Sequence, residues 1–329
     1  MNSPQTTLVI GAGSAPSIRD RVVDVIEGSQ SLLVVGSFLF TSEVVAEAIV
    51  RAALRGVHVY VMTAADKGLQ LTKGQVEWGD AQKILQHEQV LKTIIGPCRV
   101  RSSSYWHAKF VISDPLTNPR GCVLSSNLND TAMLLSPEAL VVLETYEVRQ
   151  CFELARVAYW AAESEFGEAD LLSATRSNFH LQLRRSSGSL FGTVEDPNAI
   201  LTSLTSLIES STRSIRLSTY QLFGDSPVVK AVAGAAKRGV AVEILLHPSL
   251  TNLQTMQPLM RAGAQVRTLD WMHAKFCLVD TATGYFTTQN MEPMSTKARH
   301  ELGLELTGER LLEAHTWFEH WWTNARVPQ

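Results

Sequence analysis

"WHAKFVISD" occupies Trp106–Asp114 and "WMHAKFCLVD" occupies Trp271–Asp280, so His-Ala-Lys-Phe recurs with an aspartate closing each copy at the same distance. A single H-x-K-x4-D pattern arises by chance in about one chain of this length in twenty-five; two copies need a cause. Both stretches are apolar enough to read as β-strands, where residues i and i+2 share a face. His107 and Lys109 then point the same way, as do His273 and Lys275. Asp114 and Asp280 follow their histidines by seven residues, an odd offset that turns them to the other face. Their expected role is to hold a strand end or a neighbouring loop.

Working outward, the whole chain is written twice. "SLLVVGSFLFTSEVVAEAIVRAALRGVHVYVM" (31–62) and "SIRLSTYQLFGDSPVVKAVAGAAKRGVAVEILL" (214–246) each read strand, helix, Arg-Gly-Val, strand. Val45, Ala48, Ile49 and Ala52 fall at helical spacing, as do Val228, Val229, Val232 and Ala235. Gly56 and Gly239 are expected as left-handed helix ends. These glycines are 183 residues apart and the two histidines 166, so the first half carries 17 extra residues, around "KGLQLTKGQVEWGDAQKILQHEQ". Beyond the motifs the offset settles at 163, which pairs Asn127 with Asn290 and Glu138 with Glu301. Each half ends in an aromatic-rich helix. The reading is an α/β protein of two similar lobes, each a mixed sheet flanked by helices and related by a pseudo-two-fold axis. The first lobe spans 1–165 and the second 197–329. A polar connection, 166–196, is read between them, with a short hairpin through "FHLQLRR".

The repeated set of His, Lys, Asn and Glu has a chemical sense. Lysine places a point charge on a phosphate oxygen and asparagine donates to another. Two histidines in different protonation states can divide nucleophilic attack on phosphorus from protonation of the leaving oxygen. A glutamate behind each ring fixes its tautomer. Other residues take plainer readings: His58, His87, His315 and His320 structural or solvated, Trp317, Trp321 and Trp322 in a core or lobe interface, and "GAGSAP" a turn. Arg99 and Arg101 lead into the His107 strand and are candidates for a substrate groove.

A net charge of −3 argues against a generally basic nucleic-acid binder, although a local groove is compatible with it. Cys98, Cys122, Cys151 and Cys277 lack metal-type spacing, and Cys122, Cys151 and Cys277, in or beside apolar runs, read as reduced core thiols. The start of the chain lacks a signal-peptide pattern, and no apolar run is long enough to span a bilayer. A cytoplasmic protein is expected.

The doubled H-x-K-x4-D resembles the HKD motif of the phospholipase D superfamily, with a match that covers both halves. The resemblance implies two α/β lobes whose motifs meet in one cleft, and a covalent phosphohistidine mechanism without metal or cofactor. It implies His107 and His273 as the catalytic pair, Glu138 and Glu301 as their supports, and Asp114 and Asp280 as structural. It puts Lys109, Lys275, Asn127 and Asn290 on the phosphate, with Ser125 and Thr288 keeping the hydroxyl two residues before each asparagine. The family's glycine before the asparagine is absent from "LSSNLN" and "TTQNME". "SSNLND" is similar to nuclease members, so a nucleic-acid substrate, in defence or repair, is the expectation. A phospholipid phosphodiesterase or phosphatidyltransferase is the alternative, and a non-catalytic scaffold of this fold a second one. Because no carboxylate, Cys or His cluster shows ligand spacing, turnover is expected to survive EDTA. Loss restored only by Mg²⁺ or Zn²⁺ would contradict this.

Overall fold

The computed structural model describes residues 9–11, 13–64, 81–162, 164–167, 188–194, 196–293 and 299–328. The expected hairpin "FHLQLRR" and the first part of the 17-residue excess lie outside these residues. In the first lobe the order is β1 (Val9–Gly11), α1 (Ile18–Glu27), β2 (Leu32–Gly36), α2 (Glu43–Leu54), β3 (His58–Ala64), α3 (Ala81–Ile94) and β4 (Arg99–Ser103). There follow β5 (Phe110–Ser113), β6 (Arg120–Leu124), α4 (Asp130–Leu135), β7 (Ala139–Val142), α5 (Thr145–Ala161) and β8 (Ser164–Phe166). The second lobe runs β9 (Leu190–Gly192), α6 (Ala199–Glu209), β10 (Ser214–Thr219), α7 (Pro227–Lys237), β11 (Ala241–Leu246), α8 (Leu250–Arg261) and β12 (Gln265–Thr268). It closes with β13 (Phe276–Val279), β14 (Thr283–Thr287), β15 (Leu302–Leu306) and α9 (Gly308–Asn324).

The two sheets match over seven strands, and β8 adds an eighth to the first. The first is ordered β1-β7-β6-β5-β2-β3-β4-β8 and the second, from its opposite edge, β12-β11-β10-β13-β14-β15-β9. In each, three strands pair in parallel (β2-β3-β4 and β10-β11-β12) and the remaining pairs are antiparallel. Crossover helices α2 and α7 explain the parallel part, since parallel neighbours need a long return. Both helices end as expected: Gly56 and Gly239 adopt φ 92° and 90°, which a Cβ would strain. The stretch 166–196 is not all connection. Leu190–Gly192 pairs antiparallel with β15 and closes the second sheet as β1 closes the first, because β15 would otherwise present an open edge.

Each sheet has one face covered by its own helices and one face turned to the other lobe. Val35, Val61 and Val111 pack under α1 and α2, and Leu217, Ile244 and Cys277 under α6 and α7. A third core joins the lobes: Phe110, Ile112 and Val141 share it with Phe276, Phe286 and Leu304, and α5 and α9 contribute Val148, Ala155, Trp317 and Phe318. Trp317 packs so closely on β1 that a Cβ at Gly11 would lie 2.9 Å from its ring, which accounts for the first glycine of "GAGSAP". All four cysteines are free and buried.

At the same position of α5 and α9, Glu147 and Arg310 meet in a bidentate ion pair of 2.8 and 2.7 Å across the lobe boundary. Glu147 is completely buried and Arg310 nearly so. Removing one partner strands a buried charge. Glu147→Ala is therefore expected to destabilise the protein by about 3–5 kcal/mol, and Glu147→Leu with Arg310→Met by much less. Denaturant unfolding of both variants checks this.

Candidate active site

β5 begins at Phe110 and β13 at Phe276, so His107–Lys109 and His273–Lys275 precede the regular strands instead of lying within them. The opposite lobe supplies the hydrogen bonds that hold these lead-ins. His107 and Ala108 donate their N–H groups to the His300 carbonyl (3.1 and 2.6 Å), and His273 and Ala274 donate theirs to the Pro137 carbonyl (3.2 and 3.0 Å). The next residue in each acceptor segment is the repeated glutamate. The carboxylates therefore cross: Glu301 Oε1 lies 2.7 Å from His107 Nδ1, and Glu138 Oε1 lies 2.9 Å from His273 Nδ1.

Behind the glutamates stand Ser125 and Thr288, expected on the phosphate. Both are fully buried, and their hydroxyls donate to Glu138 Oε2 and Glu301 Oε2 while accepting from Ala139 N–H (2.9 Å) and Leu302 N–H (3.0 Å). These hydroxyls orient the carboxylates, because their protons are already committed. Two relays result, Thr288–Glu301–His107 and Ser125–Glu138–His273. With Nδ1–H on the carboxylate, each ring carries its lone pair on Nε2.

Lys109 and Lys275 are completely buried, and each ammonium donates to the carbonyl of its own motif histidine. Asn127 accepts Leu39 N–H at 3.2 Å through its side-chain oxygen, which leaves its amide N–H groups as donors. Asn290 is buried at the matching place. Asp114 accepts from the N–H groups of Gln30, Ser31 and Leu32, and Asp280 from those of Thr212, Arg213 and Ser214. Both aspartates hold the start of the strand beside their own and adopt positive φ, 47° and 54°.

Arg99 and Arg101 do not reach the cleft. Arg99 is exposed at the start of β4, the strand end remote from the site. Arg101 pairs with Glu165 at 3.0 Å, donates to the Tyr159 carbonyl and lies over the Tyr159 and Trp160 rings. Its counterpart Arg267 does the same, donating to the Trp322 carbonyl and covering that ring. These arginines latch the terminal helix of each lobe to its sheet. Sequence reasoning passed over Arg299, paired with Glu292 at 2.8 Å beside His300, and the rings that touch the histidines, Phe38 on His107 and Tyr220 on His273. Internal alignment could have found Phe38 and Tyr220, which lie at equivalent places after β2 and β10.

Burial dominates the electrostatics. It pulls His107 down to about 3 and His273 to about 4, against Glu301 and Glu138 respectively. It pulls Lys109 to about 7 and Lys275 to about 8. Burial would raise Glu301, but His107, Lys109 and the Thr288 hydroxyl hold it at about 2. The site therefore presents neutral imidazoles and ammonium groups that burial disfavours. A phosphate anion beside the lysines would add to the pull of Glu138 and Glu301 and favour their charged forms. Among the described residues, no group of three or more His, Cys, Asp or Glu is arranged to hold a metal ion.

Paired imidazoles, each backed by a carboxylate and flanked by a lysine, define a site for phosphoryl chemistry. The family model described as "Cardiolipin synthase, PLD-like domain" matches residues 22–155 and 204–322, and the chain belongs to this phospholipase D-like family. It is a duplicated catalytic domain of the phosphoric diester hydrolase type. No curated protein matches it. Its fold is similar to that of phosphatidylserine synthase from Haemophilus influenzae Rd KW20 (TM-score 0.69, 11% identity, 98% of this chain and 88% of that one). It is also similar to polyphosphate kinase from Porphyromonas gingivalis (TM-score 0.61, 13% identity, 96% of this chain and 50% of that one). The phospholipase D family member Nuc from Salmonella typhimurium matches 43% of this chain and 98% of its own, at 23% identity and TM-score 0.37.

Replacing Lys109 by methionine is expected to abolish turnover and raise the melting temperature by a few degrees near neutral pH. The native lysine loses its proton near 7 and the unfolded one near 10.5, so its destabilising effect is full below pH 7. That effect fades as pH rises and is gone above 10.5. The stability gap between variant and native protein should narrow accordingly in melts from pH 7 to 10.

Proposed function

We propose that the protein transfers or hydrolyses the phosphatidyl group of a phospholipid through a covalent phosphohistidine. His107 Nε2 attacks phosphorus and forms a P–N bond while the bond to the leaving oxygen breaks. His273, protonated in the complex by the pull of the phosphate's negative charge, gives its Nε2 proton to that oxygen. Water or an alcohol then attacks phosphorus, its proton passes to His273, and the P–N bond breaks to restore neutral His107. Glu301 and Glu138 hold the rings in the required tautomer, and Lys109, Lys275, Asn127 and Asn290 face the phosphate oxygens.

The choice of lipid over nucleic acid rests on one observation. Tyr105 and Trp271, each two residues before a motif histidine, are 40% and 57% exposed, and Leu135, two residues before Pro137, is 75% exposed. Exposed apolar and amphipathic side chains beside a cleft suit a lipid–water boundary. Two findings support the reading: the family's description, and the likeness to a phosphatidylserine synthase over nearly the whole chain. The nucleic-acid expectation loses its local support, because Arg101 is held by Glu165 and Tyr159. Among the described residues no helix is long and apolar enough to cross a membrane, so contact with lipid would be made from the surface. Purified protein is expected to turn over anionic phospholipid vesicles, with activity absent from His107→Ala and His273→Ala. Cleavage of single-stranded DNA, duplex DNA or RNA, lost in the same variants and without turnover of vesicles, would reverse the substrate assignment.

A further inference from the structure

Between α5 and the first sheet lies a slot whose counterpart the second lobe fills with side chains. The sheet register pairs Val34 with Tyr60 on β2 and β3, and Arg216 with Glu243 at the same places on β10 and β11. With Glu147 and Arg310 aligned, Ala155 and Arg156 of α5 correspond to Phe318 and Glu319 of α9. In the second lobe Arg216 lies over the Phe318 ring at 5.5 Å and pairs with Glu243 and Glu319 at 2.9 and 2.7 Å. In the first lobe a valine stands for that arginine and an alanine for that phenylalanine. These two smaller side chains leave a cavity of about 390 Å³, within the ~300–1,000 Å³ range of small-molecule sites.

The walls of the slot are apolar and its mouth is not. Leu32 and Val34 share a face of β2, and Tyr60 stands beside Val34 on β3. Phe152, Ala155 and Tyr159 fall at i, i+3 and i+7 on one face of α5. The helical wall runs from Phe152 to Trp160, about 12 Å at 1.5 Å per residue, so the slot is elongated. At its mouth stand His58, which is exposed, Trp160, 44% exposed, and half-buried Arg156. Glu153 engages Arg156 Nη2 at 2.7 Å, and a guanidinium has five N–H donors in all. Arg101, over the Tyr159 and Trp160 rings, already takes the aromatic faces that an ammonium ligand would use.

We propose that this slot binds a single-chain fatty acid, with the hydrocarbon between β2–β3 and α5 and the carboxylate at Arg156 and His58. A forked guanidinium suits a carboxylate, and the aromatic and aliphatic walls suit an extended chain. The site is separate from the phosphoryl centre. Leu32 and His58 begin β2 and β3, whereas Gly36, the last residue of β2, pairs with Phe110, three residues after His107. Occupation of the slot is therefore independent of the diester that the cleft accepts.

Isothermal titration of the full-length protein with decanoate, below its micellar concentration, tests this. One saturable site per chain is expected, with a negative heat-capacity change as the chain is buried. 1-Decanol and decyltrimethylammonium should bind about tenfold more weakly or worse, because neither offers a carboxylate to Arg156. Arg156→Gln should lower decanoate affinity about tenfold and leave that for 1-decanol unchanged. Ala155→Phe, which supplies the ring that the second lobe carries, should abolish decanoate binding, with a thermal melt to show that the variant is folded. Ala155→Leu is the milder filler if the phenylalanine variant does not fold. Lys109→Met, which removes a cation from the cleft, should leave decanoate affinity unchanged. Absence of saturable binding, equal affinity for the three amphiphiles, undiminished binding by the folded position-155 variant, or loss of binding in Lys109→Met would each overturn the proposal.

Discussion

Glu301 reaches His107 from the second lobe, and Glu138 reaches His273 from the first. Neither lobe contains a supported histidine by itself. The carbonyl just before each glutamate also accepts two N–H groups from the opposite motif, so the bonds that dock the lobes are the bonds that orient the rings. A buried imidazole needs its Nδ1–H satisfied, and the partner lobe offers the acceptor. Docking and site assembly thus become a single event.

The cleft gathers two imidazoles, two ammonium groups and two carboxylates away from water, an arrangement that opposes stability unless the charges are matched. The serine and threonine hydroxyls tie down the carboxylates, while the lysines donate to backbone carbonyls and are countered at longer range by Glu138 and Glu301. Surrounding apolar layers hold this group in place. The shared core of β5, β13, α5 and α9 and the Glu147–Arg310 pair lie behind it. A phosphate held beside the lysines would favour their charged forms and, by its added negative charge, protonation of an imidazole.

Duplication also makes departures from symmetry informative. Arg101 and Arg267 repeat the same latch, which marks both as structural. Ala64 and His247 occupy the same place and differ. Glu147 and Arg310 differ in the complementary sense. Two copies of the first lobe would bring glutamate against glutamate, and two copies of the second arginine against arginine. The ion pair therefore favours pairing of unlike lobes.

The sequence by itself determined the doubled α/β architecture, because strand and helix periodicity and the glycine helix ends are local properties that survive in both copies. It also singled out His107, Lys109, Asn127, Glu138 and their counterparts, because fixed spacing within a repeat reports a shared geometry. It could not determine which glutamate serves which histidine, since that depends on contacts between residues 194 and 135 positions apart in the chain. For the same reason it left open that Ser125 and Thr288 face carboxylates and that Arg101 turns toward α5. Nearness in sequence had placed Arg101 with His107, but the sheet separates β4 from β5 by two intervening strands. The stack of Tyr220, His247 and Trp271 was equally out of reach, because it joins a strand end, a loop and a left-handed tryptophan that only the folded lobe brings together.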